Sequence, residues 1–124
     1  MNVVDSSGWL EYFADAPNAG HFAKPLQAKA TLVVPTICLF EVFKVVLRER
    51  GEDAALQAAA LMRQGMVVDL DSPLAIWAAQ NSLTYKLPMA DSIILTTAQA
   101  HQAAIWTQDT HFQGLPNVHY FPKR

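Results

Sequence analysis

The sequence predicts an α/β fold: three layers, α/β/α, around a central, mainly parallel sheet of four to five strands. Three observations carry this. Short runs rich in β-branched residues (Val3-Val4, Thr31 to Val34, Met66 to Leu70, Ala104 to Thr107) alternate with longer stretches of helical composition. The stretches between them are long enough for crossover connections, which parallel neighbours require. No repeat, low-complexity tract or linker divides the chain, so residues 1–124 are expected to form a single domain with a real core.

Val3-Val4 is the first strand, and it runs directly into Asp5-Ser6-Ser7. Ser6 or Ser7 is expected to cap a helix through Trp9, Leu10, Tyr12 and Phe13. Ala16 to Gly20 breaks that helix, and residues 19–29 have helical composition with Pro25 as an awkward interior member. The second strand, Thr31 to Val34, closes at Pro35, and Thr36 is expected to cap the next helix. That helix repeats Ile37, Phe40, Phe43 and Leu47 at spacings of three and four, one apolar face, and Gly51 stops it near Arg50. Glu52 to Gln64 is an Ala- and Leu-rich helix that follows too closely to leave room for a strand. The third strand spans Met66 to Leu70. Ser72 as cap and Pro73 as first helical residue start a helix to Tyr85, and Pro88 opens another to about His101. Ala104 to Thr107 is the fourth strand, Asp109 to Phe112 a turn, and Val118 to Phe121 a last short strand.

Composition excludes several classes. The chain is 52% hydrophobic and 16% charged, too apolar for intrinsic disorder. No apolar run approaches the ~20 residues that span a bilayer, and the start lacks a signal-peptide pattern. A cytoplasmic protein without a membrane role is the expectation. The single cysteine, Cys38, lies in an apolar run with no neighbouring Cys or His, and reads as a buried, inert thiol. A net charge of −2 gives no global attraction to polyanions, so any nucleic-acid binding needs a local basic patch or a bound cation.

Four acids stand apart from the solvated ones. Asp5 ends the first strand, Glu41 lies between Phe40 and Val42, Asp91 is in the first turn of its helix, and Asp109 follows the fourth strand. Each has an ordinary explanation: a helix cap for Asp5, the macrodipole for Asp91, an Asx-turn for Asp109, and pairing with Lys44 for Glu41. In a parallel sheet, however, strand C-terminal ends and the following helix first turns share one edge, where ligands bind. Carboxylates converging there repel one another and call for a cation. A cluster of oxygens alone selects a hard one, Mg²⁺ or Mn²⁺.

In order and spacing, Val4-Asp5-Ser6-Ser7, Pro35-Thr36 with Glu41-Val42, Leu87 to Ile94, and Trp106 to Phe112 followed by Leu115 to Val118 resemble the PIN domain, and within it the VapC-like toxins of bacterial toxin–antitoxin pairs. The resemblance implies a Mg²⁺- or Mn²⁺-dependent endoribonuclease with tRNA or rRNA among its candidate substrates. It implies an acidic quartet of Asp5, Glu41, Asp91 and Asp109. Asp5, Asp91 and Asp109 would hold metal directly or through water, Glu41 would assist, and Ser6 and Thr107 would stand in the second tier. It further implies a homodimer held inactive by a cognate antitoxin whose tail enters the site. Pro25 departs from the plain helix usual in that family.

Lys44 and Arg48, three and seven residues after Glu41, are candidates for steering RNA phosphates, with Lys86 as a weaker one; an ordinary solvated basic face is the competing reading. His111 reads as a turn histidine that could touch substrate. The competing functions are a catalytically silent PIN-like adaptor, a DNA-directed nuclease, and a receiver-like signalling domain. The silent adaptor is disfavoured by the presence of all four acids. The receiver is disfavoured by two helices with no strand between residues 36 and 64, and by the lack of a lysine on the final strands.

Overall fold

A computed structural model describes residues 1–124. β1 (Asn2–Val4) leads into α1 (Ser6–Phe13) and α2 (Ala19–Gln27). β2 (Leu32–Pro35) is followed by α3 (Thr36–Arg50) and α4 (Glu52–Met62), and β3 (Met66–Val68) by α5 (Ser72–Tyr85) and α6 (Met89–Ala100). β4 (Ala104–Thr107) and β5 (Val118–Tyr120) complete one five-stranded sheet.

The strand order is β3-β2-β1-β4-β5, and all four pairings are parallel. The chain winds outward from β1 to β3, then returns past β1 to β4. Right-handed crossovers therefore put α1 to α4 on one face and α5 and α6 on the other. Side chains on both faces of the central strands are covered. Val3, Val4, Val33, Val34 and Ile105 are all buried, which is why these strands read as unbroken apolar runs. α6 lies across β1, β2 and β4 with α5 outside it, and its residues 92–98 are buried on every side. Its hydroxyls turn back on the helix: Ser92 donates to the Met89 carbonyl, Thr96 to that of Ser92, and Thr97 to that of Ile93. No free polar group is left in the layer.

The reversal of winding falls between β1 and β4, the position where open α/β sheets place ligands. The register makes the two strand ends level. Val4 lies opposite Trp106, and the Asp5 N–H donates to the Trp106 carbonyl at 3.1 Å. Gly8 lets α1 press against this edge, since a Cβ there would stand 2.6 Å from Val4 Cγ1 and 2.8 Å from the Phe22 ring. Gly51, at φ +89, turns α3 directly into α4 and leaves no room for a strand.

The expected elements all form, with local shifts. Strand two begins at Leu32 because Thr31 closes a 3-10 turn, Lys29–Thr31. β3 is shorter than expected, ending at Val68 opposite Pro35, the last residue of its partner β2. α2 keeps Pro25 in its interior and ends at Gln27; proline cannot donate to the carbonyl four residues back, so the helix stops early. The caps also differ. Asp5, not Ser6 or Ser7, caps α1, accepting the Gly8 N–H. Asp71, not Ser72, caps α5 by accepting the Leu74 N–H. Thr36 is the first residue of α3 and makes no capping bond; its cap position is Pro35. Cys38 is fully buried, and burial holds it as the thiol. No helix is long and apolar enough to cross a membrane.

Candidate metal centre

Asp5 leaves β1 with extended backbone and turns its carboxylate back into the protein. It is 2% exposed. Oδ1 accepts from the Gly8 N–H at 3.0 Å and from Ser7 Oγ at 2.8 Å, and Oδ2 accepts from Thr107 Oγ1 at 2.7 Å. Burial is the largest influence on this group and pushes its pKa up to about 6. The three donors pull the other way, and the Asp109 charge adds to the rise. Asp5 is thus a helix cap and a member of the acidic cluster at once.

Thr107, fully buried at the end of β4, joins the two strands. Its hydroxyl donates to Asp5 and accepts the Asp109 N–H at 2.8 Å. Asp109 opens a 3-10 turn, Thr110–Phe112, and its Oδ1 accepts the His111 N–H at 2.9 Å. Phe112, completely buried, anchors the turn. Gln108 between them is buried too; it donates to Glu11 Oε1 and accepts from Asn18 Nδ2, which pins the loop from the other side.

Asp91 comes from the first turn of α6. Its pKa is raised, first by desolvation and then by the Asp109 charge, against the hydrogen bond from His111. Glu41 comes from α3, and its Oε1 accepts from Ser6 Oγ at 2.7 Å. The expected partner, Lys44, forms no ion pair with it; Lys44 instead lies over the Phe40 ring at 5.8 Å. Arg48 is exposed and pairs with Glu49 at 3.6 Å. Lysine and arginine therefore leave all four acids unpaired.

The three ligand atoms that approach within 4.8 Å of one another belong to Asp91, Asp109 and His111. His111 Nδ1 is 2.8 Å from Asp91 Oδ2 and 3.2 Å from Asp109 Oδ1. The reading of an all-oxygen cluster is corrected here: a nitrogen stands between the two outer carboxylates. The sequence marks His111 as a turn histidine that could touch substrate, but does not bring its ring to both acids. The signal was its position two residues after Asp109, where an Asx-turn brings its backbone against the acid. Asp5 and Glu41 stand outside this group of three. They remain within electrostatic reach, since the Asp109 charge acts on Asp5 and the Glu41 charge on Asp91.

As a donor set, these residues fit a divalent cation. They supply several negative charges at one sheet edge, no internal Lys or Arg to neutralise them, and outer ligand atoms open to solvent.

A family model described as PIN domain matches residues 3–117. No curated protein matches the chain. Among solved structures, a chain from a toxin–antitoxin complex of Klebsiella pneumoniae superposes with a TM-score of 0.81 at 22% identity, covering 98% of this chain and 99% of the other. VapC20 of Mycobacterium tuberculosis, described as a sarcin–ricin loop cleaving toxin, gives 0.81 at 18% identity, covering 98% and 100%. FitAcB from Neisseria gonorrhoeae gives 0.70 at 18% identity, covering 98% and 96%. At these identities the likeness is one of fold.

Proposed function

Because the chain belongs to the PIN domain family, we propose that it is a metal-dependent endoribonuclease and the toxin of a toxin–antitoxin pair, a single catalytic unit over residues 1–124 acting in the cytoplasm. One observation carries the reading. Asp5, Asp91 and Asp109, with Glu41 beside them, gather at the sheet edge where the winding reverses, with neither lysine nor arginine to balance them. RNA as substrate is supported by the fold shared with a toxin described as cleaving the sarcin–ricin loop.

Asp91 and Asp109 would hold Mg²⁺ or Mn²⁺, with Asp5 reaching it directly or through a water. When bound, such an ion acidifies water and offsets phosphate charge. The chain's own residues do the rest. Thr107 fixes Asp5 and the Asp109 backbone in one geometry. Ser6 orients Glu41 through Oε1, which leaves Oε2 without a protein donor and free to serve as a proton acceptor. Lys44 and Arg48 on the same helix would guide the RNA backbone.

A groove of about 530 Å³ runs between α1, α3 and α4, lined by Leu10, Phe13, Val46 and Leu61 and reaching Ser7 and Gln108 beside the site. A segment of an antitoxin laid in it would reach Ser7 and Gln108, close in sequence to Asp5 and Asp109. That several neighbours of the same fold come from toxin–antitoxin complexes supports this partner. A homodimer is supported by apolar side chains that α5 leaves in solvent: Ile76, Trp77 and Leu83.

The test is incubation of purified protein with structured RNA and with DNA of the same sequence, in Mg²⁺, Mn²⁺ or EDTA. We expect RNA to be cut in either metal and left intact in EDTA. Cleavage that persists in EDTA, or that falls on DNA alone, overturns the reading.

A further inference from the structure

We infer that His111 is a metal ligand of this site through Nδ1, which makes the centre a mixed nitrogen–oxygen one that favours Mn²⁺ over Mg²⁺. This deepens the nuclease reading and rests on it.

Three observations carry the assignment. First, position: Nδ1 lies 2.8 Å from Asp91 Oδ2 and 3.2 Å from Asp109 Oδ1, and all three atoms fall within 4.8 Å of one another. Adjacent ligands of an octahedral ion, each ~2.1 Å from it, stand roughly 3 Å apart. The 2.8 Å contact is a hydrogen bond between Nδ1 and Asp91, and an ion taking the place of its proton would find Nδ1 near ligand spacing from both carboxylates. Second, preorganisation: the His111 N–H is tied to Asp109 at 2.9 Å, and the next residue, Phe112, is buried. The backbone that carries the ring is thereby held beside Asp109. Third, charge: the only basic side chain against these acids is His111, and an imidazole cannot balance Asp5, Glu41, Asp91 and Asp109 together. A dication offsets twice the charge of an imidazolium, with the imidazole as its neutral ligand.

The choice of ion follows from donor chemistry. Mg²⁺ prefers oxygen and keeps its waters, whereas first-row transition ions accept imidazole readily. Of the two ions the carboxylates call for, Mn²⁺, a first-row transition ion, accepts the nitrogen more readily than Mg²⁺.

The test reads the nitrogen directly. Wild-type protein and His111→Gln would be loaded with Mn²⁺ and examined by pulsed electron paramagnetic resonance, with a histidine-¹⁵N sample as control. Calorimetric titrations with Mn²⁺ and Mg²⁺ would accompany them. We expect a ¹⁴N coupling in the wild type that converts to ¹⁵N in the labelled sample and disappears in His111→Gln. Mn²⁺ affinity should fall on the order of tenfold or more, the scale seen even for outer partners of metal ligands, and Mg²⁺ affinity should change less. The side chain is half exposed, so the variant is expected to melt with the wild type. Metal-dependent RNA cleavage with no nitrogen coupling, or a coupling that survives in His111→Gln, overturns the assignment and leaves the nuclease reading standing. A wild-type protein that binds neither ion overturns both.

Discussion

The inner and outer halves of the acidic site are built on opposite rules. Asp5 is sealed and saturated: 2% exposed, with backbone and hydroxyl donors on both oxygens. The outer half is progressively open, with the side chains of Asp91, Asp109 and His111 at 14%, 30% and 53% exposure. The inner half fixes geometry at an electrostatic cost, visible in the raised Asp5 pKa. The outer half keeps lone pairs available. The proposed metal-dependent nuclease would need both, and Thr107, hydrogen-bonded to each half, is the only hydroxyl that spans them.

The largest effects belong to the outer carboxylates. Asp109→Asn and Asp91→Asn should each lower RNA cleavage on the order of 10³-fold, the scale at which a group acting on the transition state is lost. Melting temperature should hold or rise, because each change removes like-charge repulsion. Activity within tenfold of wild type in either variant would break the division of labour. Next is the bridge. Thr107→Val leaves the Asp109 N–H without its acceptor and takes one donor from Asp5. An expected cost of about 1–3 kcal/mol in stability accompanies a substantial loss of activity, measurable by urea unfolding and cleavage assays. Thr107→Ser should recover most of both.

The inner half has its own signature in pH. The folded pKa of Asp5 is raised from 3.8 to about 6, so the folded state binds this proton more tightly than the unfolded one. The contribution is largest below about pH 4, shrinks as pH rises to about 6, and is flat beyond. At about 1.4 kcal/mol per unit, the full change approaches 3 kcal/mol. In EDTA, the stability of the wild type relative to Asp5→Asn should fall across that window, and added Mn²⁺ should restore the wild type at pH 7. A pH-independent difference between the two proteins would show that Asp5 is not strained by burial.

How legible this was in the sequence differs between fold and site. The elements could be read because each carries a local signal: β-branched runs for the central strands and Gly51 for the turn; α3 forms as expected, but it buries Cys38, Val42 and Val46, whereas Phe40 and Leu47 of the expected apolar stripe stand exposed. The edge at which Asp5, Asp91 and Asp109 gather followed from parallel topology. What stayed hidden depended on side-chain direction. Ser6 and Ser7 are equivalent as sequence, yet one bonds Glu41 and the other Asp5, and Asp5 itself takes the cap. Glu41 turned toward Ser6 rather than Lys44 because the Ser6 hydroxyl, 35 residues away in sequence, is level with it at the sheet edge. The approach of His111 to both acids was hidden for the same reason: its ring meets Asp91, 20 residues away in sequence, which no pattern along the chain shows.

The smallest effects should come from the basic residues of α3, which belong to neither half. Lys44 is exposed above Phe40, and Arg48 already has Glu49 as a partner. Neither supports the fold, so Lys44→Ala should shift stability by no more than about 0.5 kcal/mol. If Lys44 meets a phosphate, its loss should raise KM for RNA a few-fold while kcat is unchanged, since the contact exists before and during reaction alike. The salt dependence of RNA binding should lose about one unit of slope. Arg48→Ala should do less, because Glu49 offsets its charge before RNA arrives. A fall in kcat on Lys44→Ala would place the ammonium at the reacting phosphate and extend the outer half of the site onto α3. Unchanged KM and slope would instead return Lys44 and Arg48 to an ordinary solvated face, leaving the acids and His111 to account for the site alone.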